Sequence, residues 1–230
     1  MPRTLRIRLA GVPNHVTHRG NQRRQIFFDE RDYRHYLTLL ANYARMFSMH
    51  VWAYCLMPNH VHLLVVGEHP DSISRAIGNT QRVFARRCHR DARVTGHFWG
   101  TRHYAAPLDE PHVWAAVRYI ERNPVRACLV TQATTYPWSS AAAHAGLRHD
   151  PLLDSARPFP GPVGDWAAWL SIDIEAATVD TLRRNTTLGR PTGSETFVTE
   201  LERRTGRRLR RRKPGPPPRS GTDPRHRNPC

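Results

Sequence analysis

The stretch Val51-Trp52-Ala53-Tyr54-Cys55-Leu56-Met57-Pro58-Asn59-His60-Val61-His62-Leu63-Leu64-Val65-Val66-Gly67 decides how this chain folds. Val51 to Leu56 is rich in β-formers, Pro58-Asn59 is a turn signal, and His60 to Val66 resumes as a strand, so the stretch predicts a β-hairpin. Side chains alternate across a strand, which puts His60 and His62 on one face and Val61, Leu63 and Val65 on the other. Two imidazoles side by side on a rigid strand are a natural pair of metal ligands. The pair alone does not decide the matter, because the chain carries 14 histidines and two on one strand are as readily surface or satisfied core residues.

Upstream of the hairpin, Val12 to His18 reads as a first strand that ends in the polar loop Arg19-Gly20-Asn21. From Asp29, a plausible N-cap, Tyr33, Tyr36, Leu37, Leu40, Ala44 and Phe47 recur at helical spacing. Downstream, a second helix opens near Ser72, with Ile73, Ala76, Ile77, Val83 and Phe84 inward and Arg75, Arg82, Arg86 and Arg90 largely outward. Gly96 to Leu108 has few helix formers and predicts a fourth strand or ribbon. A third helix runs from about Glu110 to Arg122 and is expected to stop at Asn123-Pro124, since a residue before proline is pushed out of the α region. The order β-α-β-β-α-β-α predicts an α+β fold, a ferredoxin-like antiparallel sheet with helices on one face.

Composition shifts towards Pro, Gly and Ala after Tyr136-Pro137-Trp138-Ser139-Ser140, so residues 1–146 are expected to form the main domain. Residues 147–206 are expected to form an extension with two short helices, Asp173 to Arg184 and Ser194 to Arg204, the second opened by Gly193-Ser194 and closed by Gly206. From residue 207 to 230 the chain is mostly Arg, Pro and Gly, a composition that cannot bury enough apolar surface to fold alone, and a disordered basic tail is expected.

At 230 residues with 39% hydrophobic residues, one ordinary domain plus an appendage is possible. The formal charge of +16 favours a polyanionic partner, with nucleic acid ahead of a membrane surface. Nearly every base is arginine, Lys213 being the exception; this suits bidentate grips on phosphate, although a GC-rich coding sequence would leave the same mark. No apolar run is long enough for a spanning helix and the N-terminus lacks a signal-peptide core, so a cytoplasmic, nucleoid-associated protein is expected. Cys55, Cys88, Cys128 and Cys230 lie far apart, which argues against a zinc knuckle or a disulfide framework.

In the third helix Tyr119 and Asn123 are four residues apart, hence on one face, among Arg118, Arg122 and Arg126. A phenol, a short oxygen ligand and three cations at one helix end suit phosphoryl transfer: the phenol attacks phosphorus, arginines offset the charge on the non-bridging oxygens, and a metal ion acts as Lewis acid. The plainer readings are that Tyr119 packs its ring on the core and that Asn123 caps the helix before Pro124.

These residues carry a resemblance. Met57-Pro58-Asn59-His60-Val61-His62-Leu63-Leu64, taken with Tyr119-Ile120-Glu121-Arg122-Asn123-Pro124-Val125-Arg126-Ala127, resembles the REP-associated tyrosine transposases, relatives of the IS200-like single-tyrosine HUH enzymes. His15-Val16-Thr17-His18-Arg19-Gly20-Asn21, Tyr136-Pro137-Trp138-Ser139-Ser140, and Gly189-Arg190-Pro191 with Gly193-Ser194-Glu195 are similar to family signatures too. The resemblance implies that His60, His62 and Asn123 hold Mg²⁺ or Mn²⁺ and that Tyr119 attacks single-stranded DNA to form a 5′-phosphotyrosine link. The implied substrates are palindromic repeats folded into hairpins, and the implied state is a monomer rather than a dimer. Arg19, Asn21, Arg118, Arg122 and Arg126, with Arg210, Arg211 and Arg212 of the tail, are the expected DNA contacts. Cys128 departs from the family, which usually has glycine there. Two neutral imidazoles and an amide would hold a hard cation weakly until a phosphate supplied an anionic ligand, and zinc would bind such a site more tightly. A hairpin-binding protein without chemistry is the alternative, against which intact Tyr119, His60 and His62 argue.

Overall fold

The computed structural model describes residues 6–91, 95–154 and 163–210. Four strands, β1 (Asn14–Arg19), β2 (Met49–Met57), β3 (His60–Gly67) and β4 (Tyr104–Pro107), form an antiparallel sheet in the order β2-β3-β1-β4. That order, with α1 (Glu30–Met46) between β1 and β2 and α2 (Ser72–Arg90) between β3 and β4, is the expected split βαβ arrangement. The hairpin forms where it was expected, with Met57 opposite His60 and a bulge between Val51 and Ala53. The ribbon expected over residues 96–108 contracts to the short β4, joined at its start by a single bridge between Trp99 and Gly20.

The helices do not all lie on one face. Tyr33, Tyr36 and Leu40 of α1 and Ala76, Ile77 and Phe84 of α2 pack against Val61, Leu63 and Val65. On the opposite face, Ala53, Cys55, Leu64 and Val66 are covered by Val113, Ala116, Val117 and Ile120 of α3 (Glu110–Glu121). The physical reason is visible in β2 and β3, which are apolar at both parities; a strand buried on both sides reads as a continuous hydrophobic run and needs two covering layers.

The third helix stops where it was expected to, α3 ending at Glu121 with Arg122 as its C-cap, but the chain does not become extended there. After Arg122, which keeps φ −83° and ψ −3°, it turns straight into α4 (Asn123–Arg126) with Pro124 in the first turn, where its missing N–H costs nothing. The Asn123 side-chain amide donates to the carbonyls of Tyr119 at 2.8 Å and Ile120 at 3.4 Å, the second being the carbonyl that the proline has no N–H to reach. Helix α4 ends at Arg126 with Ala127 as its C-cap, and the next residue, Cys128, takes the left-handed conformation at φ +54°, with the Leu129 amide bonded to the Pro124 carbonyl. Such a backbone conformation favours glycine over cysteine at this position.

The division at residue 146 follows composition and not the core. α5 (Ala141–His144) is a single turn, and Trp166 and Leu170 of α6 (Trp166–Ser171) and Val179 and Leu182 of α7 (Ala176–Leu188) join α3 in one apolar cluster. α8 (Glu195–Thr205) starts at the N-cap Ser194 and ends at Gly206 in the left-handed conformation, as the sequence indicated. Nor does order stop at Gly206. Leu209 packs with Ile7, Val12 and Leu201, its amide donates to Glu202, and Arg207 donates to the Arg6 carbonyl. Residues 211–230, including Arg211 and Arg212, lie outside the described residues.

Two of the sequence motifs cover the sheet's edges. Along β2, the Leu56 amide donates to the Trp138 carbonyl, the Ser140 amide donates to the Tyr54 carbonyl and the Tyr136 hydroxyl donates to the Leu56 carbonyl. Along β4, the Thr192 amide donates to Pro107 and the Asp109 amide to Thr192. An edge strand otherwise presents open N–H and C=O groups to any passing chain. Among the described residues no helix is long and apolar enough to cross a membrane.

Candidate active site

A cleft of about 480 Å³ opens over one end of the sheet, lined by His15, Thr17, Arg19, His60, His62, Tyr104, Tyr119, Asn123, Arg126, Arg183 and Thr186 among others. Three short pieces of chemistry build it. β1 places Arg19 opposite His60 and Thr17 opposite His62, so the basic loop and the histidine pair share an edge. The loop is pinned to the hairpin turn by Gly20 N–H to Asn59, Ile26 N–H to Pro58, and the Asn59 amide to Arg23. A Cβ at Gly20 would stand 2.3 Å from the Arg24 carbonyl, so only glycine permits this approach.

The second piece is α3, started by the Asp109 side chain accepting from the His112 amide. Its apolar stripe faces the sheet, and Tyr119, on the flank of that stripe, lays its ring edge-on against His62 at 5.4 Å and His15 at 5.7 Å between centroids. Tyr119 is therefore both partly a core residue and a lining residue of the cleft. One turn on, Asn123 lines the same cleft, and with its amide nitrogen spent on the helix its carbonyl oxygen is the atom left for a ligand.

The third piece is α7, absent from the sequence-based site. Arg183 Nε donates to the Tyr119 hydroxyl at 3.2 Å, and Thr186 Oγ1 lies 2.8 Å from His15 Nδ1. His15 Nε2 in turn lies 2.9 Å from His62 Nδ1, with the two rings nearly parallel. His60 Nδ1 lies 2.6 Å from the Asn59 side-chain oxygen. Both Nδ1 atoms of the pair are thus engaged, and in the tautomers in which each Nδ1 carries the proton the two Nε2 lone pairs are left for a ligand.

Electrostatics keeps those lone pairs available. Burial, with Arg19 beside it, pushes the His60 pKa down to about 3. Burial also holds His62 well below its ordinary value, helped by His60, His15, Arg19 and Arg183, and takes His15 down to about 4. A neutral imidazole is a ligand and an imidazolium is not. No group of three His, Cys, Asp or Glu side chains that could hold a metal converges among the described residues. The donors are two imidazoles and an amide oxygen, a set that fits Mg²⁺ or Mn²⁺ when a phosphate oxygen adds the missing negative charge.

The arginines separate into two groups. Arg19 and Arg126 line the cleft, the latter with its guanidinium 5.2 Å from the Tyr119 ring centre. Burial and the neighbouring Arg23 lower the Arg19 pKa, as they do for a cation left without a counter-charge. Asn21 is in the pinned loop, where its main-chain N–H donates to the Phe98 carbonyl. Arg118 and Arg122 turn away from the expected DNA side. The Arg118 guanidinium stacks on Trp169 at 4.2 Å, and buried Arg122 donates to the carbonyls of Leu170 and Ile172 and to Asp173. Both dock α6 against α3, because those faces of α3 are covered by the extension. Arg210 is held by Thr199, Glu195 and Glu202 of α8. Next to Arg122, buried Glu121 accepts from Ser140, from His144 Nδ1 at 2.5 Å and from Trp166 Nε1 at 2.7 Å, which ties α3 to α5 and α6.

Sequence reasoning missed His15, Tyr104, Arg183 and Thr186. For His15 a signal existed, because it alternates with Thr17 and Arg19 on the strand next to the histidine pair. For Arg183 there was none, since its place depends on where α7 docks.

No curated protein matches the chain. A solved structure of a REP-associated tyrosine transposase bound to a REP hairpin matches with a TM-score of 0.55 at 18% identity, over 76% of this chain and 100% of that one, and so shares the fold. A crystal structure described as a transposase candidate from Deinococcus radiodurans is 23% identical over 53% of this chain and 95% of that one, with a TM-score of 0.36. The family model described as "Transposase IS200 like" matches residues 10–123, a span that begins before β1 and closes on Asn123. The chain belongs to the IS200-like transposase family.

Proposed function

We propose that this protein is a metal-dependent endonuclease and strand transferase for single-stranded DNA, acting on hairpins formed by repeated sequences. The observation that carries the reading is that Tyr119 and the His60–His62 pair face one cleft within one chain, the phenol ring 5.4 Å from His62. Covered edges on β2 and β4 support a monomer that completes its own site. The hairpin bound by the REP-associated neighbour supports a hairpin as substrate.

In this reading Arg19 and Arg126 hold the scissile phosphate at the cleft mouth, and His60, His62 and Asn123 bind the metal ion. When bound, Mg²⁺ or Mn²⁺ supplies Lewis-acid polarisation of a phosphate oxygen. Tyr119 Oη attacks phosphorus, the bond from phosphorus to the 3′ oxygen breaks, and the phenol proton passes through solvent to that oxygen. The products are a 5′-phosphotyrosine and a free 3′-hydroxyl. The bond energy is kept in the ester, so a 3′-hydroxyl can later displace the tyrosine and rejoin a strand.

The test is covalent trapping. End-labelled single-stranded hairpin DNA incubated with protein and Mg²⁺ should give an adduct that survives a denaturing gel, and Tyr119→Phe should lose it while keeping hairpin affinity. Tight binding by the parent protein with no adduct would make it a binding module instead.

A further inference from the structure

We propose that Arg183, in the extension that follows the family match, is a catalytic residue whose guanidinium stabilises negative charge on the Tyr119 oxygen. The inference rests on the phosphotyrosine reading above and adds a residue to it. Arg183 Nε donates to the Tyr119 hydroxyl at 3.2 Å, and its guanidinium carbon is 5.7 Å from the centre of the ring. Among the described residues no carboxylate pairs with Arg183, in contrast to Arg122, which Asp173 engages. Its charge is therefore free to act on the one oxygen it touches.

That placement is built rather than incidental. α7 is seated by Val179 and Leu182 in the core shared with α3. One turn beyond Arg183, Thr186 holds His15, which contacts His62. The same short helix thus reaches the nucleophile and the metal-binding pair, and it closes on Gly189 in the left-handed conformation.

The chemistry gives such a cation work in both directions. As the bond from Oη to phosphorus forms, the phenol gives up its proton and charge develops across Oη and the non-bridging oxygens. In the rejoining step a 3′-hydroxyl attacks phosphorus, the bond to Oη breaks and the tyrosine departs as the charged species. A donor already aimed at Oη stabilises both transition states without reorganising. Removing one such preorganised donor typically slows the reaction by about 100-fold to 1000-fold.

The test uses the full chain with Mg²⁺ in single-turnover adduct formation, on one hairpin with an oxygen and one with a sulfur at the bridging 3′ position. Sulfur leaves readily without a proton, so it isolates effects on the attacking group. Arg183→Gln should slow adduct formation by about 100-fold on both substrates, with hairpin affinity within a few-fold of the parent. Arg183→Lys, which keeps charge and stem, should recover part of the rate, and exposed Arg184→Gln should match the parent. Unchanged melting temperatures separate this from loss of fold, and the lysine variant carries the test should the glutamine variant unfold. A glutamine variant at the parental rate overturns the proposal. So does a defect confined to the oxygen substrate, which would place the arginine at the leaving group, or one wholly accounted for by weaker binding. No adduct from the parent protein would instead bring down the phosphotyrosine reading, and this one with it.

Discussion

Lowering the pH from 7.5 to 5 should destabilise the metal-free protein steeply, because several histidines are buried in the neutral form. His15 falls from 6.5 to about 4 through burial, and His18, stacked on Trp99, also falls to about 4 through burial. The sign follows from proton uptake. Between about pH 6.5 and 4 the unfolded chain binds a proton at each site that the folded chain refuses, so acid favours unfolding. At pH 5 each site contributes a loss of about 2 kcal/mol relative to neutral pH, and His60, His62 and His103 are shifted in the same direction. Against a typical stability of about 5–15 kcal/mol, this is a large fraction. Urea titrations at the two pH values, at constant ionic strength and with chelator present, measure it. His15→Gln should flatten the dependence by one proton, about 1.4 kcal/mol per pH unit inside the window. A stability that is unchanged or higher at pH 5 would refute the reasoning. A functional consequence follows: the His60 lone pair outlasts the fold, so activity at acid pH should disappear with unfolding and not before it.

His60→Ala and His62→Ala should abolish cleavage and weaken Mn²⁺ binding measured by calorimetry in the presence of hairpin, while Asn123→Ala should be milder because water replaces an amide oxygen; equal losses in all three would contradict the assigned donor set. Arg122→Ala should cost about 2–4 kcal/mol in urea unfolding, since it strands the Leu170 and Ile172 carbonyls; normal stability with weaker DNA binding would return Arg122 to the DNA surface. Cys128→Gly should stabilise by up to about 1 kcal/mol, read as a raised melting temperature, because φ is +54° there. Truncation after Arg210 should weaken binding to arbitrary single strands and reduce the salt slope by about 0.7 for each phosphate that the tail neutralises, with preference among hairpins kept; tighter binding by the shortened chain would mean that the tail competes with DNA.

Much of this protein is legible in the order of its residues. The turn at Pro58-Asn59, the alternation of His60 and His62 with Val61 and Leu63, and the caps at Asp29, Ser194 and Gly206 are local, since each depends on neighbours within a few positions. The pairing of Tyr119 with Asn123 is local too, because a helix repeats every 3.6 residues. What local pattern could not supply was the partner across space. Arg118 and Arg122 looked like DNA contacts because they flank the nucleophile in sequence, yet α6 docks on them and takes their charge inward. Tyr136 to Ser140 and the stretch around Thr192 were legible only as similar to family signatures, and what they bind is the edge of the sheet. Arg183 follows Tyr119 at a separation of 64 residues and touches its hydroxyl only because Val179 and Leu182 find their place in the core beside α3. Helical and strand periods are set by backbone geometry, which each residue carries with it, whereas the docking of one apolar face on another is decided by the shape of the whole chain.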